Sequence, residues 1–242
     1  MIQKTHSRSQ RLHRLLYWFT TASFLVPIVF LTLRLFGIGA PDISDQAYHS
    51  DADYALMLVE CLLGLLVINL PTILARRLRF EVPTVLSVLY LIFLYCAIFL
   101  GEVRSFYYTI PYWDTWLHAF SSMMTGFFGV MVVGILNRDE HVSLRLSPFF
   151  VVLFAFAFSV MIGAIWEIYE FSLDGLLGFN MQKYAAQDGT VLLGHDALTD
   201  TMKDLMMDAV GALIAAVIGM FALRHEKTWF VPVLKEKAAC DE

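Results

Sequence analysis

The chain reads as an all-α, polytopic membrane bundle of six transmembrane helices, and three observations lead there. Composition is the first: 58 % of the residues are hydrophobic and 16 % charged, and the mean hydropathy of +0.65 is too high for a soluble domain. The second is length. Six apolar stretches, at roughly 15–37, 54–74, 82–102, 112–136, 148–172 and 200–223, meet the need for about 20 residues to cross hydrocarbon as a helix. The third is an alternation of charge between the connections.

Each span is flanked accordingly. Lys4, Arg8, Arg11 and Arg14 precede the first span, which is too long for a signal-peptide core and is expected to remain as an anchor. Residues 39–53 then carry Asp42, Asp45, Asp51 and Asp53 and neither Lys nor Arg. Arg76, Arg77 and Arg79 separate the second span from the third, and Arg138 and Arg145 separate the fourth from the fifth. Arg224, Lys227, Lys235 and Lys237 follow the sixth. The positive-inside rule therefore places both termini in the cytoplasm. The expected organisation is a basic cytoplasmic N-terminus at 1–14, a six-helix transmembrane domain at 15–223 and a cytoplasmic tail at 224–242. The longest connection, 173–199, is assigned to the outer side, with turn signals at Asp174-Gly175 and Asp188-Gly189.

Several function classes drop out. A formal net charge of −5 with most cations spent on the cytoplasmic rim argues against nucleic acid as a partner and leaves membrane lipids. Cys61, Cys96 and Cys240 offer neither a disulfide framework nor metal-ligand spacing and are expected to serve packing. Neither Gly-x-Ser-x-Gly, His-Glu-x-x-His nor a phosphate loop is present.

What remains is acidic. Carboxylates inside hydrocarbon are costly, and each is a functional candidate by default. Asp114 with His118 opens the fourth span, Glu167 with Glu170 closes the fifth, and Asp200, Asp204 and Asp208 open the sixth. With the orientation above, all three sets fall at the outer end. At 100° per residue, Asp114, His118, Ser121, Thr125 and Gly129 share one stripe. Gly163, Glu167, Glu170 and Asp174 share another, and Asp200, Asp204 and Asp208 continue into Gly211, Ala215 and Gly219. Small residues at four-residue spacing mark the face on which membrane helices approach closely, so the acids are expected on the buried face.

Carboxylates so close must take up protons or share a cation, and bundle cores rich in carboxylates are known metal sites. Asp114, His118, Glu167, Glu170, Asp204 and Asp208 are the expected ligands of a divalent ion, with Asp114, His118 and Glu167 as catalytic groups. Oxygen donors suit Mg or Mn, and an added imidazole admits Zn or Fe. The plainer assignments stand beside this. Asp200 after Thr199, and Asp114 after Pro111, suit N-caps. Glu102 and Asp174 near helix ends are expected to be solvated, and Glu60 to be a lone buried polar group. The nearby cations are His118, Lys203, Arg104 and His195, with Lys203 turned about 100° from Asp204. Trp113, Trp116 and Trp166, with Tyr107, Tyr108 and Tyr112, fit an interfacial belt.

The strings Pro111 to His118 (PYWDTWLH), Gly163 to Phe171 (GAIWEIYEF), Gly178 to Gln182 (GFNMQ) and Asp200 to Gly211 (DTMKDLMMDAVG) resemble the YjdF-like bacterial inner-membrane proteins. The likeness covers roughly residues 55–223; its members often have Trp where this chain has Lys203. It implies a helical bundle in a bacterial inner membrane and assigns no reaction. Two functions are expected from the acids. One is a metal-dependent hydrolase or hydratase acting on a lipid-linked or amphipathic substrate at the outer leaflet. The other is a cation- or proton-coupled transporter, and a scaffold with a structural cation is a third.

Overall fold

The computed structural model describes residues 2–38, 51–77, 82–137, 146–186 and 189–224. Asp42, Asp45, Arg79, Arg138, Arg145, Asp188, Cys240 and the tail lysines Lys227, Lys235 and Lys237 lie outside these residues. Its elements are α1 (Ile2–Leu35), α2 (Asp51–Val67), α3 (Leu70–Arg77), α4 (Thr84–Leu94), a π-helical segment (Tyr95–Val103), α5 (Phe106–Thr109), α6 (Trp113–Leu136), α7 (Pro148–Leu177) and α8 (His195–Arg224). By length and composition, six helices are able to cross a membrane: Gln10–Leu35, Asp51–Arg77, Thr84–Val103, Trp113–Gly134, Pro148–Leu177 and His195–Ala222. The six expected spans are these six, and the fold is all-α. One boundary moves at the start: α1 begins at Ile2, so the basic N-terminal stretch continues the helix of the first span.

Local chemistry sets the ends and breaks. Ser147 caps α7, its Oγ accepting from Phe150 N at 3.3 Å with Pro148 at the first helical position. Gly178, at φ +71°, closes the helix by donating to Asp174 O. The second span breaks between α2 and α3 because Pro71 has no N–H for the carbonyl of Val67. The phenol of Tyr90 donates to that carbonyl at 2.8 Å instead.

Packing divides the bundle into two groups. α1, α2 and α4 gather around Phe24, Cys61, Ile68, Leu91 and Leu94. Buried Cys61 and half-buried Cys96 are free thiols, as packing residues would be. α6, α7 and α8 pack most extensively on one another, around Val130, Val133, Val151, Ala155 and Ala216. Their small-residue stripes are the contact. A Cβ on Gly211 would strike the Ala119 carbonyl oxygen and Ser122 Oγ, and one on Gly129 would sit 3.0 Å from Ala155 Cα. Glycine is what permits this approach. The outward faces of the same helices are apolar, with Ile168, Phe171, Leu213 and Phe221 more than half exposed or nearly so, as a hydrocarbon surround requires.

Candidate metal centre

α6 and α8 start, and α7 ends, at one end of the trio, and the 3.6-residue period carries the acids inward there. His118 is at the centre, 6 % exposed. Its Nδ1 lies 3.4 Å from both carboxylate oxygens of Asp208, which is 1 % exposed. A carboxylate only accepts, so the Nδ1 proton points to Asp208 and fixes the ring. Nε2 then faces Asp114 Oδ1 and Glu167 Oε1, each 3.8 Å away. These separations are too long for hydrogen bonds.

Two overlapping sets of candidate ligands result. One atom from each of His118, Glu167 and Asp204 lies within 4.8 Å of the others, and the same holds for Asp114, Asp200 and Asp204. Glu167 and Asp204 are 5 % and 2 % exposed. Among the described residues, neither oxygen of Glu167 nor Oδ1 of Asp204 has a partner at full hydrogen-bond geometry, although Thr201 and Gln182 lie beside Glu167. Buried carboxylate oxygens without partners cost several kcal/mol by order of magnitude unless a proton or a cation serves them.

The structure thus brings together Asp114, His118, Glu167, Asp204 and Asp208. Glu170, also expected as a ligand, belongs to neither set: its Oε1 accepts from Trp166 Nε1, one turn back on the same helix, at 2.8 Å. Asp208 holds the histidine from the other side. Asp200 is not an N-cap, because α8 begins five residues earlier at His195, and Thr199 Oγ1 donates back to His195 O within the helix. Asp114 lies in the first turn of α6, where a carboxylate is also favoured by the helix dipole. Lys203, Arg104 and His195 are exposed and turned away.

Two residues expected to be solvated are buried. Asp174, 7 % exposed, accepts from Met181 N at 2.8 Å and Gln182 N at 3.0 Å. It thereby pins the start of the 178–194 connection. Phe179 and Met181 anchor it further in a buried cluster with Leu56, each contributing about 1.5–3 kcal/mol. Glu102 is 6 % exposed because the π-helical segment, closed by Arg104 N donating to Phe99 O at 2.9 Å, turns it inward. Gln182 Nε2 donates to Thr201 Oγ1 at 2.9 Å, tying the connection to α8 beside the acids.

The pinned connection delivers a cation that the sequence analysis missed. Lys183, at φ +50°, places its Nζ 4.8 Å from the Tyr107 ring centroid and 5.2 Å from that of Tyr108. Burial alone would lower its pKa, but Glu102, Asp114, Tyr108 and Glu170 outweigh it and hold the ammonium charged well above the ordinary lysine range. Burial raises the phenols of Tyr107 and Tyr108, and neighbouring carboxylates add to that. The available signal was position: Lys183 is the only Lys or Arg between Arg145 and Lys203. Lys183→Met is expected to cost about 1–2 kcal/mol through the two lost ring contacts, read as faster proteolysis within 178–194. All three groups have folded pKa values raised above their unfolded ones, so their stabilisation is full below the unfolded pKa of about 10 and fades as pH rises above it. Wild-type protection of the connection should fall above that pH, and less steeply in Lys183→Met.

A curated protein of Thermotoga maritima, described as an uncharacterized protein, is 32 % identical over 122 residues, which are 49 % of this chain and 53 % of that protein. The chain therefore matches about half the length of this relative. No solved structure matches. The family model described as predicted membrane protein (DUF2238) matches residues 43–225, which include all six spans but the first and every acid of the site, and the chain belongs to that family of membrane proteins.

Proposed function

We propose that this end of the bundle binds a divalent metal ion (Mg, Mn, Zn or Fe) through His118, Glu167 and Asp204, at the extracytoplasmic side of a bacterial inner membrane with both termini cytoplasmic. The protein then acts as a metal-dependent hydrolase or hydratase on a lipid-linked or amphipathic substrate. One observation carries the reading. Asp208 takes the Nδ1 side of His118, so Nε2 is left facing Asp114 and Glu167 at 3.8 Å, with unpartnered buried oxygens on Glu167 and Asp204. Acceptors facing acceptors at that spacing suit donors to a shared ion, since ligands about 2.1 Å from one metal lie about 3–4 Å apart.

The metal supplies a more acidic water and stabilisation of negative charge as it develops. The chain's own groups do the rest. Asp114, with its side chain 19 % exposed, is at the mouth, placed to take a proton from water arriving at the rim. Asp208 keeps the imidazole oriented. Trp116, Trp166 and Tyr112, close in sequence to the acids of α6 and α7, are exposed and supply the amphipathic rings that suit a lipid boundary.

Below Asp208 the trio is closed. Thr125 Oγ1 and Ser159 Oγ are 2.7 Å apart, Ser159 Oγ donates to Ser122 O at 2.7 Å, and the apolar cluster of Val130, Val133 and Val151 follows. A site reached from one side favours an enzyme over a cation- or proton-coupled carrier. The test is the metal content of the purified full chain by mass spectrometry, paired with uptake into proteoliposomes. Stoichiometric metal without uptake supports the proposal; absence of metal, or saturable uptake, overturns it. Asp208→Asn is expected to lower metal affinity about 10- to 100-fold while leaving the helices intact. A metal titration followed by circular dichroism checks both points.

A further inference from the structure

We infer that the same end holds a second divalent cation, bound by Asp114, Asp200 and Asp204, with Asp204 bridging it to the first. This rests on the metal reading above and extends it to a second ion. The two ligand sets share Asp204 and are stacked along α8, where Asp200 and Asp204 are one helical turn, about 6 Å of rise, apart. The set has a second sign of a ligand: Asp204 is 98 % buried, since its exposure is 2 %, and its Oδ1 is without a partner. Asp114 and Asp200 are half-buried, toward the mouth.

Charge argues the same way. Asp114, Glu167, Asp200 and Asp204 bring four carboxyl groups to the two sets, and a neutral, liganding His118 leaves Asp208 beside them as a fifth. One divalent ion neutralises two carboxylates and leaves the others to protons or to a further cation at the edge of hydrocarbon, where uncompensated charge is expensive. A second ion neutralises two more. Lys183 offsets only part of this charge, because that ammonium is shared among Glu102, Asp114, Glu170 and the two tyrosine rings. The donors differ in kind. The inner set includes an imidazole and admits Zn or Fe, whereas the outer set is carboxylate alone and suits a hard cation, Mg, Mn or Ca. Ions sharing a carboxylate lie about 3.5–4 Å apart.

Manganese distinguishes the outcomes, because two Mn(II) ions at that separation couple magnetically. The full chain in nanodiscs, stripped of metal, is titrated with Mn(II) and followed by electron paramagnetic resonance. Wild type should take up two equivalents and develop a coupled spectrum. Asp200→Asn and, independently, Asp114→Asn should each stop at one equivalent with an uncoupled six-line signal; circular dichroism confirms the fold of each. Saturation of wild type at one equivalent, or a coupled pair surviving in Asp200→Asn, overturns the second ion and leaves the first standing. Binding of no manganese by the folded wild type overturns both.

Discussion

Combining Glu167→Gln with Asp204→Asn should lower divalent-metal affinity on the order of a thousandfold or more. Each substitution removes a proposed direct ligand, and loss of a mere supporting partner already costs 10- to 100-fold as a rough guide. The same variant should be more resistant to heat than wild type when both are metal-free. Its amides relieve the burial of Glu167 and Asp204, whose Oε1, Oε2 and Oδ1 lack partners at full hydrogen-bond geometry among the described residues. Added metal should reverse the order, since an ion at about a thousand times its dissociation constant stabilises the binder by about 4 kcal/mol. Two melting curves with and without metal therefore test the idea twice. Equal metal content in the two proteins, or a metal-free variant that melts below wild type, counts against it.

Gly211→Ala is expected to destabilise the bundle by about 1–3 kcal/mol. The new methyl meets the carbonyl of Ala119, a backbone atom on the adjoining helix, so α6 and α8 must part. Gly175→Ala is the matched control. It lies within α7 with nothing near its Cβ position, and alanine there should stabilise by about 0.5–1 kcal/mol. Unfolding in graded denaturing detergent should move the two variants in opposite directions. A Gly211→Ala protein as stable as wild type would mean that the stripe is not the contact surface.

The helices and most of the acids were legible because their rules are local. A span must have a set length, and the 3.6-residue period sends Asp114 and His118, or Asp204 and Asp208, to one face regardless of what they meet. Glu170 shows the limit of that rule. Three residues from Glu167 it shares the face within about 60°, and Trp166 on its own helix decides which way its carboxyl turns. Asp200 was misjudged because the helix start depends on how the preceding connection is folded, and a run with Thr199 and Asp200 offers a plausible cap wherever the helix begins. The burial of Asp174 was out of reach, and Lys183 was marked only by its isolation as a cation in that stretch. Both depend on an aperiodic connection whose course is set by two backbone amides, an Asp carboxylate and the anchors Phe179 and Met181. The π-helical segment leaves no trace in hydropathy, since it counts as apolar helix in either form.

That segment has an evolutionary and engineering corollary. Each i→i+5 link accommodates a residue more than the standard coil, so Tyr95–Val103 behaves as an insertion absorbed without a loop. Excising a single residue from it lets the segment wind as ordinary α-helix, with the flanking turns kept in register and only the side chains inside it redirected. Phe19 against Tyr95 and Gly101 beneath the Tyr107 ring are the contacts that such a change moves. A one-codon deletion at this place thus separates what the wider winding contributes from what the length of the span contributes.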